Sequence, residues 1–133
     1  MIIFLETNMY QFFGRFHALI VHLPIGFIIL AVIFECLAWK KRVDLKLAIS
    51  YALLIGASFG VIAIVLGLML ASDGGYNIDT LNLHKWTGIS TTIVAFLLFF
   101  LSKKKEAILW AKKIYPVMMT LVIILLSIAG HYG

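Results

Sequence analysis

Charge is what this sequence has least of. Asp, Glu, Lys and Arg make up 13% of its 133 residues, against 63% apolar residues and a mean hydropathy of +1.08. A soluble globular domain carries about 25% charged and about 45–50% apolar residues, so that class is excluded. Disorder is excluded by the same figures, since disordered chains are poor in apolar residues and rich in charge. Cysteine is nearly absent as well. Cys36 stands alone and cannot form an internal disulfide. No Cys-x-x-Cys-His occurs, which removes covalent c-type haem attachment. The chain also lacks a phosphate-binding glycine loop, a catalytic-triad pattern and any nucleic-acid motif. No catalytic residue is expected. The opening Met1-Ile2-Ile3-Phe4-Leu5 has no basic stretch and meets Glu6 at once, so no cleavable signal peptide is expected.

What remains is four long apolar runs, at about 17–39, 48–71, 83–102 and 114–131. Each is near the length of about 20 residues needed to cross the hydrocarbon layer. Backbone in lipid must satisfy its own hydrogen bonds, so all four read as helices. They fill most of the chain and leave no room for a soluble domain. The expectation is an all-α integral membrane protein, with residues 1–133 forming one four-helix transmembrane bundle.

The net charge of +5 comes from basic residues gathered in two places. Lys40, Lys41, Arg42 and Lys46 lie after the first run, and Lys103, Lys104, Lys105, Lys112 and Lys113 after the third. Only Arg15 and Lys85 remain for the other side. The positive-inside rule then puts both basic loops in the cytoplasm and both termini on the outer, periplasmic side of a bacterial inner membrane. Trp39 and Trp110 fall at the inner interface, Trp86 and Tyr76 near the outer one, where amphipathic rings prefer to sit. Residues 1–16 are too short to span. Met9 to Phe16, which mixes aromatic residues with Gln11 and Arg15, lies along the outer interface or extends the first helix outward.

All four histidines fall in the outer half of the membrane. At about 1.5 Å per residue, His22 lies roughly 25 Å above Trp39, His84 roughly 27 Å above Ser102, and His131 roughly 25 Å above Ile114. Three helices thus bring a histidine to one level, and His17 sits further out. Small residues lie one turn inward on each face: Gly26 below His22, Gly88 below His84, Ser127 below His131. The second helix has no histidine but carries the stripe Gly56, Gly60, Ala63 and Gly67, which admits another backbone or a flat ring. Ionisable groups inside a membrane are costly and mark functional sites. Neutral imidazole ligates haem iron, zinc and copper alike. Opposed imidazoles suit haem b with both axial positions filled. Three convergent ones suit a bare ion.

The run Phe13-Gly14-Arg15-Phe16-His17-Ala18-Leu19-Ile20-Val21-His22-Leu23-Pro24-Ile25-Gly26 resembles the opening of an uncharacterised family of bacterial four-helix membrane domains. Members of that family are often fused to planctomycete-type cytochrome c domains. His84-Lys85-Trp86-Thr87-Gly88 and Ala129-Gly130-His131-Tyr132-Gly133 are similar to its other two signatures. The family usually has proline after the first histidine, where this chain has Ala18, and often continues past the last glycine. The resemblance implies respiratory or redox work, with a separate protein as electron partner.

The expected function is therefore a haem b membrane subunit that moves electrons near the outer surface. The expected ligands are His17, His22, His84 and His131, for one haem or two, with Gly26 and Gly88 beside the ring and Arg15 on a propionate. The expected partners are the lipid bilayer, other membrane or cytochrome subunits and a quinone, with no nucleic acid. Two alternatives stand beside it: a non-catalytic scaffold subunit of a larger membrane complex, and a zinc or copper site. Glu35 is expected to pair with Lys40 or to snorkel to water. Cys36 reads as a small apolar residue. Asp73 and Asp79 read as solvated loop residues. An internal repeat at the His22-to-His84 offset fails, because the same shift takes His131 to Met69.

Overall fold

The structure, a computed structural model, describes residues 9–72 and 74–133. The expectations for Met1 to Glu6 and for Asp73 lie outside the described residues. Four helices are long and apolar enough to cross a membrane: α1 (Met9–Lys41), α2 (Lys46–Ala71), α3 (Ile78–Lys104) and α4 (Leu109–Tyr132). They run up and down in chain order. Among the described residues the secondary structure is wholly helical.

The helix boundaries have local causes. Pro24 has no N–H to give to residue 20, and α1 loses its regular pattern just there, at Val21, between His17–Ile20 and His22–Lys41. Arg42 adopts a left-handed conformation (φ 53°) and stops α1. The turn between α2 and α3 uses Gly74 and Gly75 at φ 74° and 83°, which side-chain-bearing residues rarely adopt. Asn77 then caps α3, its side chain accepting from the backbone N–H groups of Asp79 and Thr80. That cap starts α3 at Ile78, well before the apolar run begins. α4 likewise starts at Leu109, so that Lys112 and Lys113 ride on its first turns. Hydropathy reports where lipid begins, not where a helix does.

Residues 9–16 continue α1 outward along α2. Gly14 lies so close to Leu70 that a Cβ there would come 2.8 Å from the Leu70 backbone nitrogen. This contact favours helix extension over a segment lying flat on the interface.

The core runs through the centre of the bundle: Ile28 and Ala31 on α1, Leu53 and Ala57 on α2, Ala95 and Leu98 on α3, Met119 and Val122 on α4. Phe27 and Phe59 stack face to face across α1 and α2, 6.3 Å apart. α2 and α3 meet most closely at Gly60, where a Cβ would come 2.6 Å from Thr92 Oγ1. So the glycine stripe is a seam between helices, as small residues in membrane helices commonly are. α1 and α4, by contrast, pack against each other only lightly.

The end of the bundle with the α1–α2 and α3–α4 loops is tied by charge. Lys105 pairs with Glu35 of α1, and Lys46 of α2 pairs with Glu106. Glu35 therefore reaches across to the α3–α4 loop, not along its own helix to Lys40. Its partner sits 4.1 Å above the Tyr115 ring, and that ring's buried hydroxyl has no hydrogen-bond partner among the described residues. Trp39, Trp86 and Trp110 all point outward near helix ends, as interfacial rings do. Cys36 is exposed on the outside of α1.

Candidate histidine site

The end of the bundle opposite the α1–α2 and α3–α4 loops brings two histidines together. His17 leaves the first turn of the distorted part of α1, and its Nδ1 lies 2.7 Å from the Ala63 carbonyl of α2. A carbonyl can only accept, so Nδ1 carries the proton and donates it. The ring lies flat over Gly67, one turn further along α2. A Cβ at Gly67 would come 3.0 Å from the ring's Cε1. His84, on α3, is held in the same way by α4. Its Nδ1 donates to the Ala129 carbonyl at 2.8 Å, and a Cβ at Gly133 would come 2.8 Å from its Cε1. The two rings stand edge to face, nearly perpendicular, with centroids 6.0 Å apart.

This arrangement sets the chemistry of both rings. With each Nδ1–H engaged by a carbonyl, the remaining nitrogen of each neutral ring, Nε2, keeps its lone pair. Ligating histidines are held in this way almost without exception, because the second hydrogen bond fixes tautomer and ring direction. Two imidazoles on one metal at about 2.0–2.1 Å per bond have centroids up to roughly 6.4 Å apart. The observed spacing falls within that reach.

The wall below the pair is made by α3. Thr87, Thr91 and Thr92 are buried, and each hydroxyl donates to a carbonyl one turn back on its own helix, at 2.7, 2.7 and 3.1 Å. Their polarity is thereby satisfied internally. Gly88, one turn inward from His84 and half-buried, has nothing within 4 Å of where a Cβ would stand.

The other expected residues lie elsewhere. His22 is exposed, and its Nδ1 donates to the Ala18 carbonyl of its own helix at 2.7 Å. Five residues on from His17, it points roughly 140° around α1. Gly26 shares that outward face and is open to the surroundings. His131 is also exposed, its ring packed edge-on against Tyr132 at 4.8 Å. It lies on the opposite side of α4 from Ala129. Arg15 is exposed in the turn before His17. Of the four histidines expected to converge, the structure joins His17 with His84 and leaves His22 and His131 facing out.

Four positioning groups had no separate signal in the sequence: the carbonyls of Ala63 and Ala129 and the bare faces of Gly67 and Gly133. Gly67 belongs to the α2 stripe and Gly133 to the last signature, so the positions were visible while their role was not. Among the described residues, no three His, Cys, Asp or Glu side chains gather as a group able to hold a metal ion. No curated protein and no solved structure matches the chain. Residues 15–133, which include every expected site residue, match the predicted membrane protein family DUF2231, and the chain belongs to that family.

Proposed function

We propose that the protein is a haem b-binding subunit of a bacterial inner membrane, passing electrons near the outer surface, with His17 and His84 as the two iron ligands. The single observation that carries the reading is the matched pair of Nδ1–H to carbonyl bonds on two neighbouring rings, which leaves Nε2 of each ring with a free lone pair. Two neutral imidazoles are donors of the kind that would hold a haem iron. Gly88, one turn from His84, carries no side chain that would crowd a flat ring there. Bound there, haem iron supplies one-electron redox chemistry. The chain's own part is to fix both imidazoles and to hold them among apolar helices. A tetrahedral zinc centre normally takes three or four protein ligands, and a two-histidine site favours haem over a bare ion.

The distribution of basic residues supports the orientation, with both termini outside and the histidine pair in the outer half. A quinone and a separate cytochrome subunit are the natural electron partners for such a site. An absorption spectrum of the purified protein tests the reading. Sharp reduced bands of six-coordinate low-spin haem support it. A colourless protein carrying zinc or copper replaces it with the bare-metal reading, and a colourless, metal-free one with the scaffold reading.

A further inference from the structure

The two helical hairpins build the same unit twice. In the first, α1 gives His17 and α2 gives the Ala63 carbonyl and the Gly67 face. In the second, α3 gives His84 and α4 gives the Ala129 carbonyl and the Gly133 face. His84 follows His17 by 67 residues, while Ala129 and Gly133 follow Ala63 and Gly67 by 66. The same shifts also match part of the buried core, although buried Ser50 and Ala57 fall on exposed Pro116 and Ile123. Pro24, Ile28 and Ala31 fall on Thr91, Ala95 and Leu98, and all six are buried. Ile49, Leu53 and Gly56 fall on Tyr115, Met119 and Val122, again all buried. The residue types differ at nearly every pair, so the repeat shows in contacts and burial where sequence similarity does not.

The departures from equivalence are informative. Gly60 and Thr92, where α2 and α3 nearly touch, correspond to Leu126 and Ile25 on α4 and α1. Two large side chains stand where the other seam has a glycine and a threonine, and α1 and α4 pack only lightly. His22 and His131, the two histidines that face out, correspond to Ile89 and Val65. The only histidines with a counterpart are the two that meet.

We propose that the chain is a tandem duplication of one helical hairpin, and that His17 and His84 form a single two-ligand site on the pseudo-twofold axis between the repeats. Repeats of the same orientation are related by an axis along the membrane normal. A group bound on that axis takes one imidazole from each half and meets two equivalent supports. The class of ligand it admits is a metal centre that accepts two matched imidazoles. The identity of that ligand as haem rests on the function proposed above. The equivalence of the halves does not.

Two measurements on the full-length protein in detergent test this. Histidine ¹⁵N spectra of the protein before haem is added should show both the His17 and His84 rings with the proton on Nδ1 and in slow exchange. Gly67→Ala should perturb the His17 ring and Gly133→Ala the His84 ring to a similar extent. Titration with hemin should then show each of these two variants weakened about tenfold, the lower end of what disturbing a ligand's support costs. Gly26→Ala, on the outward face, should bind as the parent does. Different tautomers for the two rings, or a loss confined to one variant, would overturn the repeat. If the parent binds no hemin, the haem reading falls, and the ring spectra alone decide the repeat by the same criteria.

Discussion

His17 and His84 come from different hairpins, yet their rings meet edge to face with centroids 6.0 Å apart. Each is turned by a carbonyl from the helix that follows its own, Ala63 for one and Ala129 for the other. Neither ring can rotate without losing that bond inside an apolar bundle, where an unmade hydrogen bond costs about 1–3 kcal/mol. The pair is therefore preorganised as two nitrogen donors. Pre-set tautomer and direction are what a metal needs from imidazole.

Removing either member should abolish binding at a two-ligand site. His17→Ala and His84→Ala should each lose the low-spin haem spectrum, while His22→Ala and His131→Ala keep it at parental stoichiometry. Haem content per polypeptide, by pyridine haemochrome assay, reads the outcome directly. Loss in His22→Ala with retention in His17→Ala would move the site to the outward face of α1.

The close approach of α2 and α3 depends on the absence of a side chain at position 60. A Cβ there already falls 2.6 Å from Thr92 Oγ1. Gly60→Leu should force the helices apart and destabilise the fold by about 1–3 kcal/mol or more, the usual cost of overpacking a closed contact. Thermal unfolding in detergent measures it. An unshifted melting temperature would place this face of α2 away from α3.

At the end of the bundle away from the histidines, Lys105 and Glu35 are largely buried, with side chains 17% and 24% exposed. Lys105→Met strands the carboxylate and should cost about 3 kcal/mol. Adding Glu35→Leu should recover most of that loss, since a buried pair replaced by apolar groups is often neutral. Tyr115→Phe, which removes an unpartnered buried hydroxyl while keeping the ring under Lys105, should be neutral or stabilising by about 1 kcal/mol. Additive losses in the double variant would show that the two charges do not interact.

Orientation follows from nine basic residues on one side against two on the other. A reporter fused after Gly133 should be active in the periplasm, and one inserted near Asp44 in the cytoplasm. The reverse pattern would invert the bundle and put the histidine pair at the inner surface.

The four spans were legible because lipid leaves so few alternatives: long apolar runs between charged loops must be helices. The helix ends were not, since Asn77 begins α3 by capping it and not by hydropathy. The histidine level was legible only in part. Measuring from Trp39 set His17 further out than His84, whereas the two rings meet. Glu35, which the repeat places opposite Ser102, is the right reference. From each, the histidine is 18 residues away, roughly 27 Å. Small neighbours beside His22 and His131 pointed to those residues equally well, since a glycine facing lipid and a glycine facing a ring look alike in a sequence. The repeat stayed hidden because it was sought from His22, which has no partner in the other half.

The most direct measurement is the dithionite-reduced minus oxidised absorption spectrum of the protein, purified after expression with haem available, beside those of His17→Ala and His84→Ala. The expected result is a sharp low-spin b-type spectrum in the parent that is absent from both variants. A parent without haem, or a parental spectrum kept by both variants, would contradict haem ligation by this pair.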